Sequence, residues 1–302
     1  FGKEVTRLFE RLTTEQGNEK TKHLDEMTTR EILQAMNEED QTVAAAVAKQ
    51  LDSIEKLVHI VIAAFQRGGR LIYVGAGTSG RLGLLDAVEC PPTFGVDPKM
   101  VQAVIAGGRE AVANAVEGAE DDEEAAVRDL EAVGLTANDV VVGIAASGRT
   151  PYVVSALRYA KKRGAATGSI ACNHGAEMSQ YADAAVEIET GPEVLAGSTR
   201  LKAGTAQKMV LNMISTASMV GIGKVYGNWM VDVQATNEKL KERAKRILME
   251  ATGVSADEAS RYYEQANGEV KTAIVMILRG CRYEEAKERL QKAGGFVRNA
   301  LK

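Results

Sequence analysis

The sequence predicts an α/β fold, a parallel sheet flanked by helices, followed by a small C-terminal module of three helices. Two observations carry this prediction. Short apolar runs at 70–74, 101–106, 139–144 and 166–171, with a weaker one at 184–188, alternate with helix-like segments rich in Ala, Leu and Glu. Strand alternating with helix implies parallel neighbours joined by crossovers, with helices covering the sheet. Beyond Gly191 the strand signals stop and helical spacing takes over. With 302 residues the chain has the length of about two domains, enough to bury a core without disulfide or metal staples.

The first predicted helix spans 28–67, where Ile54, Leu57, Val58, Val61, Ile62 and Phe65 recur at helical spacing and Gly68-Gly69 closes the run as a C-terminal cap. His59 falls within this stripe and reads as a packing residue. The strand RLIYV follows at once, and helical spacing resumes at Leu82, Leu84 and Leu85. After the fifth strand, helices are expected over 200–221, 232–250, 255–265, 268–279 and 283–293, with turns near Gly253, Gly268 and Gly280. Ile274, Ile277 and Leu278 are expected in the core of the last three. The pattern divides the chain into an N-terminal helical segment (1–68), a sheet domain (69–250) and a small helical module (251–302).

Lys plus Arg number 37 against 41 Asp plus Glu, a net charge of −4, with no polybasic block. Neither nucleic acid nor an anionic membrane is therefore an expected partner. The longest apolar run, around Val58 to Phe65, is far short of a membrane span. No secretory signal is visible, and Cys90, Cys172 and Cys281 are scattered with no CxxC pair, so a reducing cytoplasm is expected. His23, His59 and His174 have no second ligand at metal spacing, and no metal site is expected.

Chemistry concentrates in two turns. RLIYV runs into Gly75-Ala76-Gly77-Thr78-Ser79-Gly80-Arg81 before a helix, a geometry that exposes backbone N–H groups to an anion. The spacing GxGxxG is also that of dinucleotide sites, but those need an acid at the tip of the second strand, and that strand ends at Ile105-Ala106-Gly107-Gly108-Arg109. A second strand leads into Ala145-Ala146-Ser147-Gly148-Arg149-Thr150-Pro151, with Pro151 suited to a first helical turn. Two such turns at the carboxyl ends of parallel strands converge on one crevice. Ser79, Ser147 and Thr150 are thus candidate phosphate clamps, and Thr78, Gly80, Gly148 and Arg149 candidate substrate-binding residues beside them. The polar segment Gly191 to Lys202 adds Glu193 and Ser198 as candidate ligand-binding residues, and Lys202 or Arg200 for an anion.

Both turns resemble those of the sugar isomerase (SIS) domain, which implies a flavodoxin-like three-layer sandwich that binds phosphosugars. The likeness sharpens in GAGTSGRLGLLDAVECPPTFG (75–95), AVEGAEDD (115–122), AASGRTPYV (145–153) and GPEVLAGSTRLKAGTAQKMVLNM (191–213), which resemble the N-acetylmuramic acid 6-phosphate etherases. The resemblance covers roughly 12–300, including LTTEQGNEKT, and leaves out residues 1–11. It implies cleavage of the D-lactyl ether of N-acetylmuramic acid 6-phosphate to N-acetylglucosamine 6-phosphate and D-lactate, in cell-wall sugar recycling. It also implies that two glutamates do the chemistry, at Glu89 and Glu120.

That chemistry is self-consistent. In the ring-opened sugar the C1 aldehyde acidifies the C2 proton; one carboxylate removes it and a second protonates the departing lactate oxygen at C3, after which water adds at C3. Two carboxylates suffice, so no cofactor is expected. Glu89 precedes Cys90-Pro91-Pro92, where the prolines predict an extended chain and a semi-dry pocket suited to the acid. Glu120 is expected to begin a helix whose dipole favours an ionised base, although Glu117, Asp121, Asp122, Glu123 and Glu124 surround it and only the resemblance selects it. Two other readings stay open: a phosphosugar-sensing regulator like the glucokinase regulatory protein, and an aldose–ketose isomerase, in which Glu89 has no task. SIS domains commonly pair, so a homodimer is expected, with helices 28–67 and 200–221 at the interface.

Overall fold

The computed structural model describes residues 12–233 and 237–302. Residues 1–11, set apart above, lie outside the described residues. The chain forms two compact units, one running up to Ala87 and over Lys99–Ile214, the other comprising Val88–Pro98 and Ser215–Lys302.

The first unit is built on five parallel strands, β1 (Leu71–Gly75), β2 (Val101–Ile105), β3 (Val140–Ile144), β4 (Ala166–Ala171) and β5 (Ala184–Glu187), in the order β2-β1-β3-β4-β5. The predicted strands match these closely. Every residue of β1 and β3 is buried, as a sheet covered on both faces requires. Ile72, Val74 and Val141 pack into one core with Leu130, Val153 and Leu157 from helices Glu123–Ala132 and Pro151–Lys162. Tyr73 points to the opposite face, where its hydroxyl donates to Asp86 Oδ2 at 2.9 Å.

The helix expected over 28–67 is two helices, α1 (Thr29–Ala48) and α2 (Leu51–Gln66). Thr28 and Glu31 form a capping box that starts α1. The break falls at Gln50, whose side-chain oxygen accepts from the Glu187 N–H at the end of β5. The predicted stripe Ile54, Leu57, Val58, Val61 and Phe65 is buried, whereas His59 is exposed, one position off the stripe. Because α2 packs on β1, β3 and β5, the helix that closes the expected N-terminal segment does not stand apart from the sheet.

The second unit also begins earlier than expected. Helix Glu238–Thr252 buries Ala244, Ile247 and Leu248 in one core with Ala259, Val270, Ile274 and Leu290 from the helices that follow, so no boundary falls at 251. Ile274 is buried and Ile277 packs against that core, but Leu278 is exposed, a correction to its expected place. Strands did not end at Gly191: Val225–Tyr226 and Trp229–Met230 form an antiparallel hairpin too short to show alternation in sequence.

At the amino ends of β1 and β3, away from the crevice, Asp139 gathers Arg70 and Thr136. Its buried carboxylate accepts from Arg70 N–H, Nε and Nη2 at 2.8–3.1 Å and from the Thr136 N–H at 2.8 Å. Burial works against the charge, but these donors outweigh it and hold the carboxyl below its ordinary range. Such a group stabilises the fold above the unfolded pKa of about 4, and the stabilisation fades as pH falls through the lower folded value. Asp139→Asn is expected to cost about 3 kcal/mol at neutral pH, read from denaturant midpoints, with the gap from the parent narrowing in strong acid. An unchanged midpoint at neutral pH would refute the assignment.

Candidate active site

Register brings the two glycine-rich turns together. Gly75, the last residue of β1, pairs with Ile144, the last of β3, so both turns leave the sheet at one level. Here the strand order also reverses, β2 lying on one side of β1 and β4 on the far side of β3. Such a switch point opens a crevice at the carboxyl ends of the strands. It holds a cleft of about 470 Å³, lined by Thr78 and Ser79 from the first turn, Ser147, Arg149 and Thr150 from the second, and Glu120 from a third.

Glycines shape this crevice without contacting a ligand. A Cβ on Gly80 would lie 2.8 Å from the Gly75 carbonyl oxygen, so only glycine lets helix α3 (Gly77–Phe94) start so close to its strand. Gly148 has φ +72°, and a Cβ there would meet that of Ala176 at 2.3 Å. Neither Gly80 nor Gly148 lines the cleft; their part is backbone geometry.

The polar side chains are hydroxyls, carboxylates and one guanidinium. Thr150 precedes Pro151 at the start of its helix, yet its hydroxyl makes no capping bond. Ser147 Oγ accepts from the Arg149 N–H at 3.3 Å. Ser79 is nearly buried and its hydroxyl donates to Gln207 Oε1 at 3.0 Å. Two buried nitrogens, Arg149 Nε and Gln207 Nε2, have no hydrogen-bond partner among the described residues. Arg149 is the one cationic side chain among the described residues lining the cleft, and its Nη1 lies 3.8 Å from Glu177 Oε2. Buried N–H groups without acceptors are costly, and an anion in the cleft would supply acceptors to those within reach.

The remaining candidates fall elsewhere. Glu193 is wholly buried and accepts from the N–H groups of Lys202 and Ala203, both at 3.0 Å, capping helix Lys202–Gly221. Burial pushes its pKa up, and the two N–H bonds partly offset this. Lys202 Nζ is buried against Glu39 Oε2 at 2.5 Å, and Glu39 also accepts from Lys20. Neither faces the cleft: a buried helix start needs an acceptor, and a buried ammonium needs a counter-ion. Ser198 is half-buried and also off the cleft, while its neighbour Thr199 lines it.

Sequence reasoning missed four residues here. Leu12 and Glu15 line the cleft, on a segment whose Thr13 and Thr14 are held by Asn173, itself bonded to the Ala146 carbonyl in the second turn. Thr199 and Gln207 both fall in the quoted stretch 191–213, but no local pattern marks them.

The two glutamates sit differently from expectation. Glu120 is exposed on the cleft wall within a single 3₁₀ turn, Ala119–Asp121, entered through Gly118. It does not begin the following α-helix, whose N-cap is Asp122, accepting from the Ala125 N–H at 2.8 Å. Helix α3 runs through Pro91 and Pro92 to Phe94 instead of becoming extended. Proline φ is already helical, and near a helix end the two missing N–H bonds are tolerable. Glu89 is consequently exposed on that helix, in no semi-dry pocket, and does not line the cleft.

The strand order, the switch-point cleft and the paired hydroxyl turns define an SIS-type fold. Residues 52–161 match the glucokinase regulatory protein N-terminal SIS domain and 119–217 match the SIS domain. Curated relatives named N-acetylmuramic acid 6-phosphate etherase are 85% identical in Geobacillus thermodenitrificans, 76% in Geobacillus sp. strain WCH70 and 65% in Bacillus cereus strain G9842. Each alignment covers 97% of this chain and the whole of the relative. The chain belongs to the N-acetylmuramic acid 6-phosphate etherase family.

The capping role of Glu193 is testable by itself. Glu193→Ala leaves two buried N–H groups without acceptors, and a loss of about 2 kcal/mol is expected, read as a lower thermal midpoint. An unchanged midpoint would show that water or a neighbour replaces the carboxylate.

Proposed function

We infer that this chain is a carbon–oxygen lyase that cleaves the D-lactyl ether of N-acetylmuramic acid 6-phosphate, releasing N-acetylglucosamine 6-phosphate and D-lactate. The observation that carries the reading is a cleft at the sheet's switch point that gathers the two hydroxyl turns and Arg149, with Glu120 on its wall, in a chain that matches etherases over their full length. The phosphate is held by Ser79, Ser147 and Thr150, with Thr78 beside them; Arg149 supplies positive charge. Glu120, as the base, removes the C2 proton of the ring-opened sugar. Elimination expels lactate from C3, protonated by a second carboxylate, and water adds to the unsaturated aldehyde at C3.

Glu89 is that second carboxylate in our reading, and it reaches the substrate from another copy of the chain. It shares one face of α3 with Leu85 and Val88, which are 50% and 55% exposed. An apolar face around an acid outside its own cleft suits a two-fold interface, and we propose a homodimer that covers it. We place the protein in the cytoplasm, consistent with its three free thiols. Burial and the nearby Glu193 charge push the Cys172 thiol up to about 12, leaving it unreactive. No helix among the described residues is long and apolar enough to cross a membrane.

D-lactate release measured with EDTA present, from phosphorylated and unphosphorylated sugar, tests the activity. Release from the phosphorylated sugar alone is expected; no release, with phosphosugar still raising the thermal midpoint, would point to a sensor. Glu120→Gln and Glu89→Gln should each lower turnover by about 10²–10⁴-fold. Full activity in Glu89→Gln would pass the acid role to Glu15 or Asp121, which line the cleft. Ser79→Ala should raise KM by about tenfold or more. Gln207→Leu should raise KM in the parent but add nothing to Ser79→Ala, because it acts through that hydroxyl.

A further inference from the structure

The mechanism above starts from the ring-opened sugar, gives no residue the task of opening the ring, and has no task for Glu15. Leu12 and Glu15 line the cleft from a strap of three short 3₁₀ turns, Thr13–Glu15, Glu19–Thr21 and Leu24–Glu26. The strap is fastened at two places. Asn173 accepts from the Thr13 hydroxyl at 3.1 Å and donates to the Thr14 hydroxyl at 2.9 Å and the Ala146 carbonyl at 3.0 Å, which ties the start of the strap to the second hydroxyl turn. Farther along, the Thr21 hydroxyl donates to the Val194 carbonyl at 2.8 Å and Asn18 Nδ2 to the Pro192 carbonyl at 3.4 Å. The backbone is thus held, while the Glu15 carboxylate has no hydrogen-bond or salt-bridge partner among the described residues. A Cβ on Gly197 would lie 3.5 Å from Glu15 Oε2, so this carboxylate stands beside the loop that follows β5. Glu120 comes from a different wall, the turn Ala119–Asp121.

We propose that Glu15 opens the pyranose ring, which gives the enzyme a second activity: interconversion of the α and β anomers of its sugar phosphate. The inference rests on the etherase reading with Glu120 as base. A cleft of about 470 Å³ takes a single hexose phosphate, so a carboxylate on its wall lies close to the ring. Glu120 must reach C2 still ionised to remove the C2 proton, so the proton on O1 falls to another group. Asp121 shares the turn of Glu120 and its line of approach; Glu15 comes to the sugar from elsewhere. Glu15 takes the proton of the C1 hydroxyl as the C1–O5 bond breaks, O1 becomes the aldehyde oxygen, and the bonding pair goes to O5. The same carboxyl passes that proton to O5 and ends ionised, as it began, so no co-reactant is consumed. Rotation about C1–C2 and the reverse step close the ring as the other anomer. The aldehyde so formed is the group that acidifies the C2 proton, so ring opening and elimination occur at adjacent carbons with separate carboxylates.

The test follows exchange between the anomers of N-acetylglucosamine 6-phosphate by two-dimensional exchange NMR, against buffer alone. D-lactate release from N-acetylmuramic acid 6-phosphate and calorimetric binding of N-acetylglucosamine 6-phosphate are measured beside it. The parent should exchange the anomers at least as fast as it releases lactate. Glu15→Gln should lose the catalysed exchange by about 10²-fold or more while binding the sugar within about threefold of the parent, a split that a merely structural role would not give. Asp121→Asn should keep the exchange. Lactate release by the parent without exchange above the buffer rate, exchange retained in Glu15→Gln, or its loss in Asp121→Asn instead, would overturn the assignment. Loss of exchange together with loss of binding in Glu15→Gln would also overturn it, leaving the residue a supporting one. If the parent releases no lactate, the etherase reading itself has failed, and the exchange measurement still decides the role of Glu15: catalysed exchange that disappears in Glu15→Gln supports it, and no catalysed exchange refutes it.

Discussion

The hydrogen-bonded register between β1 and β3 is the constraint on which the site depends. Because Gly75 and Ile144 are paired, two chain segments some seventy residues apart leave the sheet side by side. The reversal of strand order between them removes any crossover helix from the space above. A one-residue slip would turn the inward faces outward and separate the hydroxyls. Asp139 secures the opposite end of the same strand pair by tying the backbone of Arg70 to the loop before β3. Stability and function thus sit at opposite ends of two adjacent strands.

Ligand recognition then follows from an imbalance of hydrogen-bonding capacity. At the cleft, Arg149 Nε is buried without an acceptor among the described residues, and the Thr150 hydroxyl makes no capping bond. An entering phosphate dianion brings acceptors to these groups. Glu193 and Lys202 show the contrasting case, in which buried polar groups find their partners inside the protein. The difference between the two sets is the difference between binding and support, and it is visible only once partners are assigned.

What the sequence made legible and what it hid divide on the same line. β1 and β3, buried on both faces, read as nearly continuous apolar runs, and the regular alternation of strand and helix placed the other three closely. The hydroxyl turns were legible because glycine, serine and threonine between strand and helix have few other uses. The part played by Glu193 was not, since a capping bond to a helix nine residues away depends on the path of the loop between. Pro91-Pro92 misled for a local reason: the rule that proline disfavours helix in its predecessor is a tendency, and α3 continues through both. Glu120 became distinguishable from its acidic neighbours through the family resemblance, and the fold then placed it on the cleft wall.

The most direct test of the central claim is a crystal structure with N-acetylglucosamine 6-phosphate bound. The account predicts phosphate oxygens within hydrogen-bond distance of the hydroxyls of Ser79, Ser147 and Thr150, and C2 facing Glu120. A phosphate bound away from both turns, or C2 turned from Glu120, would contradict it.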